Sequence, residues 1–134
     1  MGPLRVTHLI YALQALSILT ALGGQGLLTL EFAFGVPALL ALALAYGVRP
    51  RVAGTYLAAH VRWQLATLGR AALALAAATL LFGPALLVGV TLGLGIPLLL
   101  LCYIAIGAWT AYRIGRGWLD LLNGRSPPTR TAPP

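Results

Sequence analysis

Apolar positions in this chain fall into long uncharged runs rather than the short alternations of half-buried strands. Residues 6–30, 32–48 and 71–112 carry no formal charge, and a hydrocarbon slab of about 30 Å is crossed by roughly 20 helical residues. The first run predicts one helix over residues 6–23, ending at Gly23, Gly24 and Gly26. The second predicts a helix over 29–48 that either kinks at Pro37 or is broken or shortened there, with Gly47 and Pro50 closing it. The third run is too long for one crossing. Gly83 and Pro84 are its natural turn, which predicts helices over 63–82 and 86–112, both extending into the polar boundary. On this reckoning the third span starts near Trp63, so Arg70 lies about 10 Å inside the boundary and snorkels outward. Residues 124–134 are rich in Pro, Ser and Thr and read as a disordered tail.

Within these runs the polar positions are sparse and periodic. Residues 55–71 read TYLAAHVRWQLATLGRA. At about 100° per residue, Tyr56, His60, Trp63, Gln64, Thr67 and Ala71 share one face, with Leu57, Val61, Leu65 and Leu68 mostly elsewhere. Polar groups of a membrane helix turn toward other helices, because lipid offers no hydrogen bonds. His60, Trp63 and Gln64 on this face, together with Arg62 and the intramembrane Arg70, are the candidate polar cluster or partner site. Arg113, Arg116, Trp118 and Asp120 form a second candidate set, contacting lipid head groups or a partner, with Arg116 and Asp120 spaced as an i,i+4 ion pair. Residues 53–64 either cross the membrane or lie along its surface.

Composition agrees with the pattern. The chain of 134 residues is 60% hydrophobic and 8% charged, with a mean hydropathy of +0.91. A soluble domain carries about 25% charged residues. The fold class expected is therefore all-α, an integral membrane bundle of about four helices. Its net charge of +7 comes from nine Arg and no Lys, and these lie at the ends of the apolar runs rather than in a patch, which argues for topology anchors and against a nucleic-acid partner. Arg5, then Arg49, Arg51 and Arg62, then Arg113, Arg116, Arg125 and Arg130 mark three segments as cytoplasmic, whereas the two other connections contain no Arg. Both termini are thus expected inside, in a bacterial inner membrane.

Little chemistry is on offer. Glu31 and Asp120, the only carboxylates, belong to opposite sides of that topology, so paired acid–base catalysis is excluded. Cys102 is the only cysteine. His8 and His60 lie at one level but lack a neighbouring thiol or carboxylate, so neither a metal nor another cofactor is expected. No enzyme activity is expected.

Three stretches carry a resemblance: YALQALSILT, AYGVRPRVAGTYLAAHVRWQ and YRIGRGWLDLLNGRSPP. Together they resemble small four-span bacterial membrane proteins of unknown function, similar to the Tic-type chloroplast inner-envelope import channel family. That resemblance implies four helices and a cytoplasmic polar end containing His60, Arg62, Trp63 and Gln64, and implies no known activity. The function expected is that of an accessory, assembly or scaffold subunit. Its partners are the lipid bilayer and another membrane protein or a second copy. The alternative is a small channel or transporter component with a pathway near His60, Gln64 and Arg70.

Overall fold

The computed structural model describes residues 2–23, 35–89 and 95–128, and every described element is helical. The helices are α1 (Pro3–Gly23), α2 (Val36–Val48), α3 (Tyr56–Gly89) and α4 (Gly95–Leu122), with a single 3-10 turn, Arg49–Val52, between α2 and α3. Two of them contain segments long and apolar enough to cross a membrane, Tyr56–Phe82 and Pro97–Leu122.

Helix α1 covers the first expected span. Pro37 neither kinks nor interrupts α2; it sits in the first turn, where its missing N–H would have no intrahelical partner anyway. The helix is accordingly short, and the rest of the expected second span, residues 29–34, lies outside the described residues. Its packed face is a ladder of small residues, Ala38, Ala41 and Ala45 with Val48, all buried, which allows its backbone to approach closely.

The turn expected at Gly83 and Pro84 is not there. The α3 backbone runs through both to Gly89, and the connection falls at residues 90–94, outside the described residues. A proline inside a helix loses one hydrogen bond and crowds the carbonyl four residues back, yet its fixed φ is itself helical, so a turn is not obligatory. The consequence reaches Arg70. Residues 71–89 alone extend about 28 Å, so the uncharged stretch no longer needs Arg70 or the segment before it to complete a crossing. Residues from Tyr56 onward are the first turns of α3 itself rather than a separate surface segment.

The helices alternate in direction, bringing together the start of α1, the end of α2, the start of α3 and the end of α4. One core cluster lies at that arginine-bearing end, where Ile10 and Tyr11 meet Ala45, Val48, Val61, Ile114 and Leu121. A second, further along, is built by α3 and α4: Ala71, Leu75 and Ala78 pack on Leu99 and Tyr103, with Ile18 of α1 touching both clusters. Helix α3 has 34 residues and α1 has 21, or about 51 Å against about 32 Å. The α3–α4 pair is thus the longer half of the bundle. Its outward positions, Leu73, Leu80, Leu81, Leu101 and Ile104, are exposed.

Candidate functional site

Four helix ends and the segment after α4 meet in a polar interior at the arginine-bearing end. His60 is its centre and is completely buried. Its Nε2 lies 2.8 Å from the carbonyl oxygen of Arg125. A carbonyl can only accept, so Nε2 carries the proton. In the neutral ring Nδ1 is then an acceptor, and it lies 3.1 Å from the Tyr11 hydroxyl, which donates to it. His60 thereby ties α1 to the segment following α4, and both of its nitrogens are engaged.

The segment after α4 reaches His60 because α4 ends in a Schellman motif. Gly124 adopts φ +65, the left-handed conformation glycine takes without steric cost. The Gly124 N–H donates to the Leu121 carbonyl at 3.1 Å, and the Arg125 N–H donates to that of Asp120 at 2.8 Å. The reversal points the Arg125 carbonyl inward and buries Pro127. The tail expected to be disordered from residue 124 instead begins packed on the bundle, through the Arg125 carbonyl and the buried Pro127, while residues 129–134 lie outside the described residues.

A second set of contacts clamps α3 to α4. The Trp63 indole N–H donates to the Arg113 carbonyl at 3.2 Å. The Arg113 guanidinium lies over the Trp63 ring, 3.6 Å from its centroid, a cation–π contact. Arg113 Nε also donates to Thr67 Oγ1 at 3.1 Å, and the Thr67 hydroxyl donates to the Trp63 carbonyl at 2.7 Å. Gly117 makes room for this crossing: a Cβ there would come 2.6 Å from the Tyr11 hydroxyl and 2.9 Å from Trp63 Nε1. Trp118 stacks on Tyr11 with centroids 6.2 Å apart and donates its indole N–H to His8 Nδ1 at 3.2 Å. The two histidines are thus held by different partners.

The expected cluster divides. His60 and Gln64 are interior and Trp63 is half-buried, whereas Arg62 and Arg70 are exposed. Arg113, expected at head groups, is half-buried and turned inward onto Trp63. Arg116 does not pair with Asp120; its Nη1 donates to the Tyr112 hydroxyl at 2.8 Å, one helical turn back. The shared polar face of α3 holds at His60, Gln64, Thr67 and Ala71, while Tyr56 is exposed. Leu57, Val61 and Leu68, assigned elsewhere, are buried too, because α3 packs against all three other helices and so buries a wider arc than one face.

Gln14 and Gln64 are both about 1% exposed; among the described residues the Gln14 carboxamide has no hydrogen-bond partner, and that of Gln64 lies beside the Tyr11 hydroxyl without a well-formed bond. Among the residues that periodicity along α3 could not supply are Tyr11, Gln14 and Ser17, all buried. Their spacing of three along α1 was the available signal. The three stretches YALQALSILT, GTYLAAHVRWQ and YRIGRGWLDLLNGRSPP, distant in the chain, all contribute side chains or backbone to this interior. Compared with protein-family models, curated proteins and solved structures, the chain matches none.

Proposed function

We propose that this chain is a polytopic inner-membrane protein that serves as an accessory, assembly or scaffold subunit, presenting a rigid cytoplasmic end to another membrane protein or a second copy. The observation that carries the reading is the interlocked interior around His60 beneath exposed arginines. Polar side chains bond to one another, as in a scaffold, while Arg51, Arg62 and Arg70 point outward.

The membrane itself is supported by the two apolar segments. Only 28% and 22% of their windows are buried within the chain, whereas the core helix of a soluble protein is mostly buried. Lipid accounts for leucines such as Leu73 and Leu80 facing outward at 71% and 76% exposure. Arginines at the starts of α1 and α3 and the ends of α2 and α4 favour both termini inside and four crossings. The Tic-type resemblance is compatible with this reading and carries no activity with it. The pathway reading has less support: His60 and Gln64 are sealed in the interior, and Arg70 lies outside it.

The test is affinity purification of the tagged full chain from its native membranes. A stoichiometric companion protein is expected, and it is lost when exposed Arg70 and Arg116 are reversed to Glu while thermal stability is retained. Flux of a solute through proteoliposomes containing only this chain, abolished by Gln64→Leu in a folded variant, would replace this reading with the pathway one.

A further inference from the structure

The turn between α2 and α3 holds an open recess of about 270 Å³ lined by Arg49, Val52, Ala53, Gly54, Ala58, Val61 and Arg62. We propose that this recess binds a phosphate-bearing anion, with Arg49 and Arg62 as its ligands and an anionic phospholipid head group as the source. The choice of lipid rests on the membrane reading above; the phosphate chemistry does not.

The recess is built by local structure. The Thr55 N–H and hydroxyl both donate to the Val52 carbonyl, at 3.0 and 2.7 Å, and Gly54 at φ +77 swings the chain between the 3-10 turn and α3. Val52 and Val61 are buried and form the floor. Around them stand Ala53, Gly54 and Ala58, whose side chains end at Cβ or are absent, so the space stays open.

The charge is equally specific. The Arg49 and Arg62 side chains are exposed, and among the described residues neither guanidinium forms a hydrogen bond or ion pair. Arg113 and Arg116, by contrast, have donated to Thr67 and Tyr112. Among the described residues no carboxylate lines the recess. Two planar donor forks without an internal acceptor suit a tetrahedral oxyanion, which offers each guanidinium its own pair of oxygens, better than one carboxylate, which a single fork satisfies. The volume lies just below the roughly 300–1,000 Å³ of pockets that engulf drug-sized ligands, which matches a head group rather than an entire lipid. Tyr46 and Tyr56, both exposed beside the turn, are the aromatic residues favoured at a membrane–water boundary.

The experiment is native mass spectrometry of the full chain released from micelles holding equal amounts of phosphatidylglycerol and phosphatidylcholine. The wild type is expected to retain one phosphatidylglycerol. Arg49→Gln with Arg62→Gln should reduce retention by about tenfold or more, as loss of charge-assisted bonds at one site implies. Two controls separate a site from general surface charge: Arg5→Gln with Arg51→Gln removes the same charge and should retain the lipid, and Ala53→Trp fills the recess without removing charge and should lose it. Equal losses in the two arginine pairs, or normal retention in Ala53→Trp, overturn the proposal. A parallel arm measures thermal protection by inorganic phosphate. Protection lost in the Arg49/Arg62 variant, without preference for phosphatidylglycerol, upholds the phosphate site and rejects lipid as its source. Release of the chain from native membranes by alkaline carbonate would defeat the membrane reading separately, leaving the phosphate arm to decide the site.

Discussion

The two ends of the bundle are held by different forces. At the arginine-bearing end, interior polar groups are joined by directed hydrogen bonds: Tyr11 to His60, His60 to the Arg125 carbonyl, Trp63 to Arg113, Trp118 to His8. Further along, Ala71, Leu75, Ala78 and Leu99 meet through size alone, with the bond between the Thr79 and Tyr103 hydroxyls, 2.8 Å, as the polar exception. A directed contact specifies one partner and one angle, whereas an apolar contact accepts any shape that fills the space. The arginine-bearing end is therefore where this chain encodes a unique arrangement of four helices, and the longer α3–α4 half supplies bulk.

Substitutions can break that contrast. The largest effect is expected at Leu75, 2% exposed: Leu75→Ala should cost about 2–5 kcal/mol through lost contact and the cavity left behind, whereas volume-conserving Leu75→Met should cost less than about 1.5 kcal/mol. Thermal midpoints in one fixed detergent measure both. If Leu75→Met proved as harmful as Leu75→Ala, the far cluster would be as specific as the near one. Next comes His60→Ala, with an expected cost of about 2–4 kcal/mol, since two hydrogen bonds disappear and the Tyr11 hydroxyl is left buried without its partner. Hydrogen exchange should report it as faster exchange around Gly124 and Arg125, and unchanged exchange there would mean that His60 does not hold the segment.

Gly117→Ala should cost about 1–3 kcal/mol, the range for overpacking, because the Tyr11 hydroxyl and the Trp63 indole cannot retreat without losing their bonds. Gly107→Ala in the same helix meets nothing within 4 Å and should be neutral or slightly stabilising, which makes it the matched control in the same melts. The smallest and most informative change is Gln64→Leu. Its buried amide makes no well-formed hydrogen bond among the described residues, and replacing a poorly satisfied polar group by an apolar one of similar size should raise stability by about 1 kcal/mol. A lower melting midpoint would reveal that the amide bonds to the Tyr11 hydroxyl beside it and belongs to the hydrogen-bonded interior.

Much of this architecture was legible in the residues, and the parts that were not share a cause. Long uncharged runs exposed the helices, and the spacing of His60, Gln64 and Thr67 exposed the inner face of α3, because burial along one helix leaves a periodic trace. Gly83 and Pro84 misled because both disfavour a helix interior, by about 1 and about 3 kcal/mol relative to Ala, and so read as a turn, although neither forbids a helix. The pairing of α1 with α3 was invisible for another reason: Tyr11 and His60 are 49 positions apart, and single-chain periodicity carries no information about which faces meet. Arg113 could be placed at a helix end by sequence, but only the proximity of Trp63 and Thr67 turns it inward. The order beyond residue 123 had a local signal, Asn-Gly at the end of a helix with Pro127 close behind, which compositional bias toward Pro and Ser concealed.

The contact between His60 and the carbonyl at position 125 also imposes a schedule. Translation delivers α1, α2 and α3 before the carbonyl that accepts from His60 Nε2, so in the early helices only Nδ1, bonded to Tyr11, can have its final partner. Final closure of the polar end is consequently a late event in biogenesis, completed only as the last turn of α4 and its reversal leave the ribosome.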